Sequence, residues 1–153
     1  MKQYAGFTLL EILVALAVLA IGLLGAAGIM LNSTRMASSS YLEAAAQQYA
    51  YEITDKMRVN QTAVQAGSYA LASGASASYS TDCSQQACTA TTMAQYDLAQ
   101  WQKEIATLPN GSGSIATTAS GSVTNVTVNI SWGDVKIHSL ANASASISIT
   151  TQL

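Results

Sequence analysis

The chain has 153 residues, a length that suits one small domain with an additional segment. Only 9% of the residues are charged, the formal net charge is -2, and the six basic residues are scattered. These features argue against the basic patch of a nucleic-acid-binding protein, so we predict no nucleic-acid partner. The low charge and the many Ser, Thr, Asn and Gln residues indicate an extracytoplasmic protein.

Residues 7–31 form an apolar run in which only Thr8 and Glu11 are polar. As a helix rising 1.5 Å per residue, the run would measure about 37 Å, enough to cross a hydrocarbon core of about 30 Å. The α-amino group and Lys2 precede the run and favour a cytoplasmic N-terminus, although Arg35 beyond it makes the charge asymmetry modest. The run is too long for the apolar region of an ordinary secretory signal, so we predict a single-pass anchor.

The helical pattern continues through residues 41–60, where apolar side chains recur at helical spacing on one face. Glu52 and Lys56, four residues apart on another face, are expected to form an ion pair. No proline interrupts this part of the chain, so we predict one continuous helix over residues 7–59, with an amphipathic second half at 32–60. The apolar stripe of that half comprises Leu42, Ala46, Tyr49, Ile53 and Met57.

Residues 61–91 show no sustained hydrophobic period and predict a long loop. Cys83 and Cys88 lie within it, in the stretch CSQQAC. A disulfide between them would persist only in an oxidising compartment, where closing so short a loop contributes roughly 2 kcal/mol. Two free thiols in a cytosolic protein are the alternative. A metal site would need two further ligands, and the single histidine, His138, is distant in sequence, so we predict no metal and no cofactor.

A short helix is expected after the loop. Thr92 and Gln95 match a capping box in which Thr92 is the N-cap. Pro109 and the glycines that follow it end the helix. Its apolar stripe comprises Leu98, Trp101, Ile105 and Leu108.

The C-terminal part alternates between apolar and polar residues with period two, which predicts strands near 113–119, at 122–132 and at 143–152. Short connections favour antiparallel order, with one face of the sheet buried under the amphipathic half of the long helix. Trp101 and Trp132 lie on apolar stripes and are expected in the core. The inward faces are predicted to comprise Val126, Val128, Ile130 and Trp132 in the middle strand and Ala143, Ala145, Ile147 and Ile149 in the last.

Glu11 is unusual, because a charge at the middle of a membrane helix costs about 2.5–3.5 kcal/mol, and less near its end. No cation of the chain lies within reach on the same helix face. Cleavage between Gly6 and Phe7 would create one, because Phe7 would gain a free α-ammonium. That ammonium could pair with Glu11 of a neighbouring copy or relative at low dielectric. The alternative is a carboxylate that reaches the headgroups or is protonated.

The stretch AGFTLLEILVALAVLAIGLLG, which contains these residues, resembles the N-terminal signal of type IV pilins and type II secretion pseudopilins. In that family a short basic leader ends in Gly, and a prepilin peptidase cuts after the Gly. The peptidase also N-methylates the new first residue, usually Phe, and a Glu stands four positions on. Gly6, Phe7 and Glu11 match these positions.

The resemblance implies a pilin-like α+β fold, with a long N-terminal helix packed on a C-terminal antiparallel sheet. It also implies storage in the bacterial inner membrane, with the N-terminus cytoplasmic and the C-terminal domain periplasmic, followed by assembly into a pilus. The expected parts are a leader at 1–6, an assembly half of the helix at 7–31, its amphipathic half at 32–60, a disulfide-containing loop with the short helix at 61–111, and the sheet at 112–153, with 32–153 as one head.

Major pilins commonly carry a proline midway along the apolar half, whereas this chain carries Gly22, Gly25 and Gly28. A glycine costs a helix up to about 1 kcal/mol relative to alanine. We therefore predict that the helix bends or melts here in a filament. Close helix packing through small residues is the alternative.

The stretch MAQYDLAQWQKEIATLPNGSGSI and the cysteine pair before it are similar to the minor pilin group called type IV pilus modification protein V. We predict a minor pilin that works in pilus assembly, initiation or adhesion and is not an enzyme. The expected partners are other pilins, a prepilin peptidase and inner-membrane lipid. The alternatives are a minor pseudopilin of type II secretion and, from another class, a signal-anchored periplasmic binding protein or enzyme.

Overall fold

The computed structural model describes residue 6 and residues 8–121, 123–134 and 144–153. Lys2, Phe7, His138 and Ala143, to which the sequence assigned roles or positions, lie outside these residues. The chain divides into two compact units, Met1–Ser38 and Ser39–Leu153. We call the second unit the head.

The long helix α1 runs over Leu9–Val59 without interruption, as predicted. Thr8 begins it, because the Thr8 hydroxyl oxygen accepts the backbone N–H of Glu11 at 3.2 Å. Such a cap satisfies one of the amides that have no partner inside the helix. The predicted ion pair is present on the later part of α1, with 2.8 Å between Lys56 Nζ and Glu52 Oε1.

Two further helices follow, α2 (Gln61–Gln65) and α3 (Ala90–Ile105). The predicted N-cap of α3 is wrong. Thr89 is the N-cap, and its side chain accepts the N–H of Thr92 at 3.2 Å, so Thr92 lies inside the first turn. Thr89 takes this position because its backbone is extended, as an N-cap requires.

The sheet contains β1 (Ser112–Ser120), β2 (Val123–Gly133) and β3 (Ser144–Gln152), in the order β1-β2-β3 with both pairs antiparallel. Gly121 lies between β1 and β2 with φ +64°, a backbone conformation that glycine adopts without a steric cost. The predicted alternation of β2 is confirmed, and its buried face comprises Val126, Val128, Ile130 and Trp132.

Helices α2 and α3, as well as α1, contribute to the core beneath the sheet. From α1 come Ala50, Ile53 and Met57, all fully buried. From α3 comes Trp101, also fully buried, whose indole N–H donates to the Tyr49 carbonyl at 3.0 Å. The predicted α+β fold, with a long N-terminal helix packed on an antiparallel sheet, is confirmed.

Helix α3 packs directly on β1, an arrangement that the sequence analysis did not anticipate. A Cβ added to Gly113 would lie 2.6 Å from Trp101 Cη2 and 2.8 Å from Ile105 Cδ1. Only a residue without a side chain leaves room for this contact. The glycine in β1 therefore allows α3 to share the core with α1.

The segment 61–91, predicted as a long loop throughout, begins instead with the short helix α2, and its remainder is held in several places. Leu71 forms an isolated antiparallel bridge with Ile115 of β1. The side-chain amide of Gln102 accepts the N–H of Ala77 at 2.6 Å and donates to the carbonyl of Ala75 at 2.7 Å. Gln102 thus gives this extended backbone the partners that neither a helix nor a sheet supplies.

Candidate functional site

The candidate assembly segment is the beginning of α1. Gly6 and Glu11 are both exposed, whereas Phe7 lies outside the described residues. Glu11 stands in the first turn of α1, where the partial positive charge of the helix N-terminus favours a carboxylate. No cation among the described residues lies within ion-pair distance of Glu11, whereas Glu52 pairs with Lys56 and Asp55 pairs with Arg58.

The side chains around Glu11 form a large apolar surface. Leu9 is 85% exposed and Leu24 is 75% exposed. Helix α1 is the one helix among the described residues that is long and apolar enough to cross a membrane, and none of its apolar window is buried by the rest of the chain. A monomeric soluble protein rarely exposes so large a contiguous apolar area, so this surface requires lipid or other helices around it.

The three glycines of this segment lie within continuous helix. A Cβ added to Gly22, Gly25 or Gly28 would meet no heavy atom within 4 Å beyond the local helix backbone. Packing within the single chain therefore does not require glycine at these positions. Both explanations, melting and close helix packing, concern the assembled state.

Cys83 and Cys88 form a disulfide, with 5.6 Å between their Cα atoms. The predicted pairing is therefore the one that the structure contains. The bridge closes the turn just before α3, and Cys83 Sγ lies 3.8 Å from the carbonyl of Thr92 in the first turn of that helix. The cysteine pair thus fixes where the loop meets α3.

The head contains a buried polar network that the sequence analysis missed. The Tyr69 hydroxyl donates to Asp97 Oδ2 at 2.6 Å, and the Asn60 amide donates to the Tyr69 oxygen at 3.3 Å and to the Ala90 carbonyl at 2.8 Å. Burial raises the pKa of Tyr69, and its bond to Asp97 raises that pKa further. The network joins the residue after α1, the loop, and α3.

Two features of its surroundings have opposite effects on the pKa of the Asp97 carboxyl. Burial raises the pKa of Asp97, whereas the hydrogen bond from Tyr69 lowers it. The sequence contains one indication of this network, because Asp97 is an acidic residue directly beside Leu98 on the buried side of α3. The sequence alone does not reveal its partner, which lies 28 residues earlier in the chain.

A second group of charged residues lies between α1 and α3. Burial raises the pKa of Glu104, and the negative charge of Glu52 raises it further, while Lys56 opposes the change. Glu104 Oε2 is buried, and no hydrogen-bond donor among the described residues reaches it. This cluster and the Tyr69–Asp97 network affect the stability of the head. Both lie far along the chain from Gly6 and Glu11.

Comparison with known protein families gives two matches. Residues 1–27 match the prokaryotic N-terminal methylation motif, and residues 30–99 match the family described as type IV pilin Tt1218. No curated protein and no solved structure matches the chain. The methylation motif, the match over residues 30–99 and the helix-on-sheet fold make the chain similar to type IV pilins, a family of structural subunits and not of enzymes.

Proposed function

We propose that the chain is a minor pilin that a prepilin peptidase cleaves between Gly6 and Phe7 and N-methylates at Phe7. The mature subunit is held in the bacterial inner membrane by the first half of α1, with the head in the periplasm. It then joins other pilins in a filament, where it works in assembly, initiation or adhesion. The observation that carries this proposal is an exposed apolar helix whose only charged residue before Arg35 is Glu11.

The proposed chemistry of assembly follows from the low dielectric around this helix. A lone Glu11 carboxylate among apolar side chains is unfavourable, and so is a lone ammonium at Phe7. When helices of neighbouring subunits pack together, each charge gains a partner and the apolar surfaces leave lipid together. Pairing between subunits thus sets the axial position of one helix against the next.

In this proposal, five segments of the chain have different roles. The leader at 1–6 is removed, the segment at 7–31 anchors and assembles, and the amphipathic half at 32–60 supports the head. The disulfide-containing region at 61–111 and the sheet at 112–153 form the exposed surface of the subunit. Gly22, Gly25 and Gly28 let the helix bend or melt when it enters the filament, since each weakens the helix by up to about 1 kcal/mol relative to alanine.

The mass of the mature chain tests this function. We expect a polypeptide that begins with N-methylated Phe7. Gly6→Ala should accumulate as full-length precursor in the inner membrane, whereas the neighbouring change Ala5→Ser should leave processing intact. Normal cleavage of Gly6→Ala, or a mature chain that begins at Met1 or lacks the whole apolar run, would overturn the proposal.

The proteins that co-purify with the mature chain distinguish a pilus from a secretion filament. Pilins of a pilus system in sheared filaments support the minor pilin. Components of a type II secretion system would instead assign the chain to a pseudopilin. The cleavage test and this test are independent, because both kinds of filament use the same N-terminal processing.

A further inference from the structure

The two edges of the sheet differ in their backbone pairing. At the β1 edge, Leu71 and Ile115 exchange two backbone hydrogen bonds of 2.9 Å each, which occupy the middle of the strand. At the opposite edge, β3 (Ser144–Gln152) pairs with β2 alone, and no other described segment bonds to its backbone. The outward-facing N–H and C=O groups of β3 therefore have no backbone partner among the residues that the structure describes.

Strand β3 lacks the features that usually protect an exposed edge. Natural edges are commonly short, bulged, or marked by lysine or proline, because an open edge can pair with other chains. The sequence of β3, SASISITTQ, contains no charge and no proline, and all nine of its residues pair in register with β2. Two backbone bonds of 2.7 and 2.9 Å between Thr124 and Leu153 hold its C-terminal end. This edge is long, regular and already ordered.

The side chains of β3 define the chemistry of a matching strand. Ala145, Ile147 and Ile149 are only half buried, although they pack against the core. A neighbouring strand with inward-facing apolar residues would remove the rest of their surface from water. The outward-facing residues, such as Ser148, carry no charge, so a charged partner would lose hydration without gaining a counter-charge.

We propose that the open edge of β3 receives an extended segment of a different protein, which adds to the sheet as a fourth strand. The segment is uncharged and carries apolar residues at alternate positions. Backbone hydrogen bonds supply the affinity, and the inward-facing apolar side chains supply the selectivity, as in other cases of strand addition.

A second copy of the chain is a poorer occupant for a geometric reason. Two β3 edges that pair antiparallel are related by a twofold axis perpendicular to the sheet, which reverses every direction in the sheet plane. The part of α1 in the head packs against the face of this sheet, so its direction would reverse as well. Two chains anchored in one membrane cannot run in opposite directions. This step rests on the membrane anchorage proposed above, whereas strand addition itself does not.

The test uses the full chain in detergent micelles and a labelled, end-capped peptide with the sequence VTNVTVNISW. This is the sequence of residues 123–132, which has the required chemistry and already pairs with β3 on its other side. A control peptide of the same sequence carries an N-methyl group on every peptide amide, so neither of its edges can donate a backbone hydrogen bond to β3. Ser148→Lys places a charge on the open edge, and Thr118→Lys places the same charge on an exposed position of the β1 edge.

The wild-type chain should bind the peptide and not the N-methylated control. Ser148→Lys should weaken binding by about tenfold or more, a loss of about 1.4 kcal/mol, while Thr118→Lys should bind like wild type. Hydrogen exchange of the wild-type chain should show slower exchange of β3 amides when the peptide is present, a result that does not depend on any variant folding correctly.

Three results would overturn the proposal. They are an absence of peptide binding to wild type, equal binding by Ser148→Lys, and equal binding of the N-methylated peptide. A wild-type dimer that only Ser148→Lys dissociates would show that the occupant is a second copy. None of these results depends on cleavage at Gly6, so failure here is distinct from failure of the proposed function.

Discussion

Tyr69→Phe tests the buried network of the head most directly. The change removes the hydroxyl that donates to Asp97 Oδ2 at 2.6 Å and leaves the ring in place. Tyr69 is fully buried and Asp97 is 8% exposed, so water does not readily replace the lost donor. A hydrogen bond to a charged group contributes about 1.5–3 kcal/mol, so we expect the free energy of unfolding to fall by about 2 kcal/mol.

Tyr49→Phe is the matched control for this experiment. The Tyr49 hydroxyl shares a 3.1 Å hydrogen bond with Thr107, and that bond is exposed to solvent. Water can replace the Thr107 partner, so the same chemical change should cost well under 1 kcal/mol. Urea unfolding of the full chain in detergent, followed by tryptophan fluorescence, reports on the head because Trp101 and Trp132 are both buried there.

The effect of Tyr69→Phe should also depend on pH. Burial raises the pKa of Asp97 above its ordinary value, and the Tyr69 bond partly lowers it. Removing that bond raises the folded-state pKa further, so the variant loses stability as pH rises from the unfolded-state pKa through the folded-state pKa. The destabilisation should be largest at neutral pH and smaller near pH 4. An equal loss at both pH values, or a loss no larger than that of Tyr49→Phe, would refute the reasoning.

Three further predictions concern α1 and its contact with α3. Glu11→Ala should be cleaved normally but be depleted from sheared filaments relative to the membrane pool. Glu43→Ala, which changes an exposed glutamate, should be incorporated like wild type. Equal incorporation of the two variants would count against charge pairing. Gly25→Ala should strengthen the isolated helix by up to about 1 kcal/mol and reduce incorporation, and unchanged incorporation would show that the filament does not need this glycine. Burial and the charge of Glu52 raise the pKa of Glu104, so the wild-type head loses stability as pH rises through the folded-state pKa of this carboxyl. Glu104→Gln cannot titrate and should not show this loss. The same dependence of the free energy of unfolding on pH in wild type and Glu104→Gln, measured from pH 4 to pH 8, would contradict that assignment.

The elements that depend on local periodicity could be predicted closely. Helix α1 was predicted over residues 7–59 and is observed over Leu9–Val59, because a long apolar run and an amphipathic stripe without proline define a helix by themselves. The strands were predicted within a residue or two, because β-branched residues alternate with polar ones. The disulfide was also predicted, although only the structure distinguishes a bridge from two free thiols.

The N-cap of α3 shows where local reasoning fails. Thr89 and Thr92 are the same residue type three positions apart, and a capping pattern exists at Thr92. The choice between them depends on where the extended chain turns after Cys88, and the disulfide and the loop contacts determine that turn. Competing caps of similar strength are settled by tertiary contacts and not by the motif.

The sequence by itself determined an apolar helix with one carboxylate in its apolar run, an amphipathic continuation and an alternating sheet, because each of these follows from the spacing of neighbouring residues. Only the tertiary structure decided that α3 packs on β1 beside Gly113, that Tyr69 donates to Asp97, and that no described segment pairs with the outer edge of β3. Those features join residues far apart in the chain, and their energies arise from burial and pairing that no local pattern encodes.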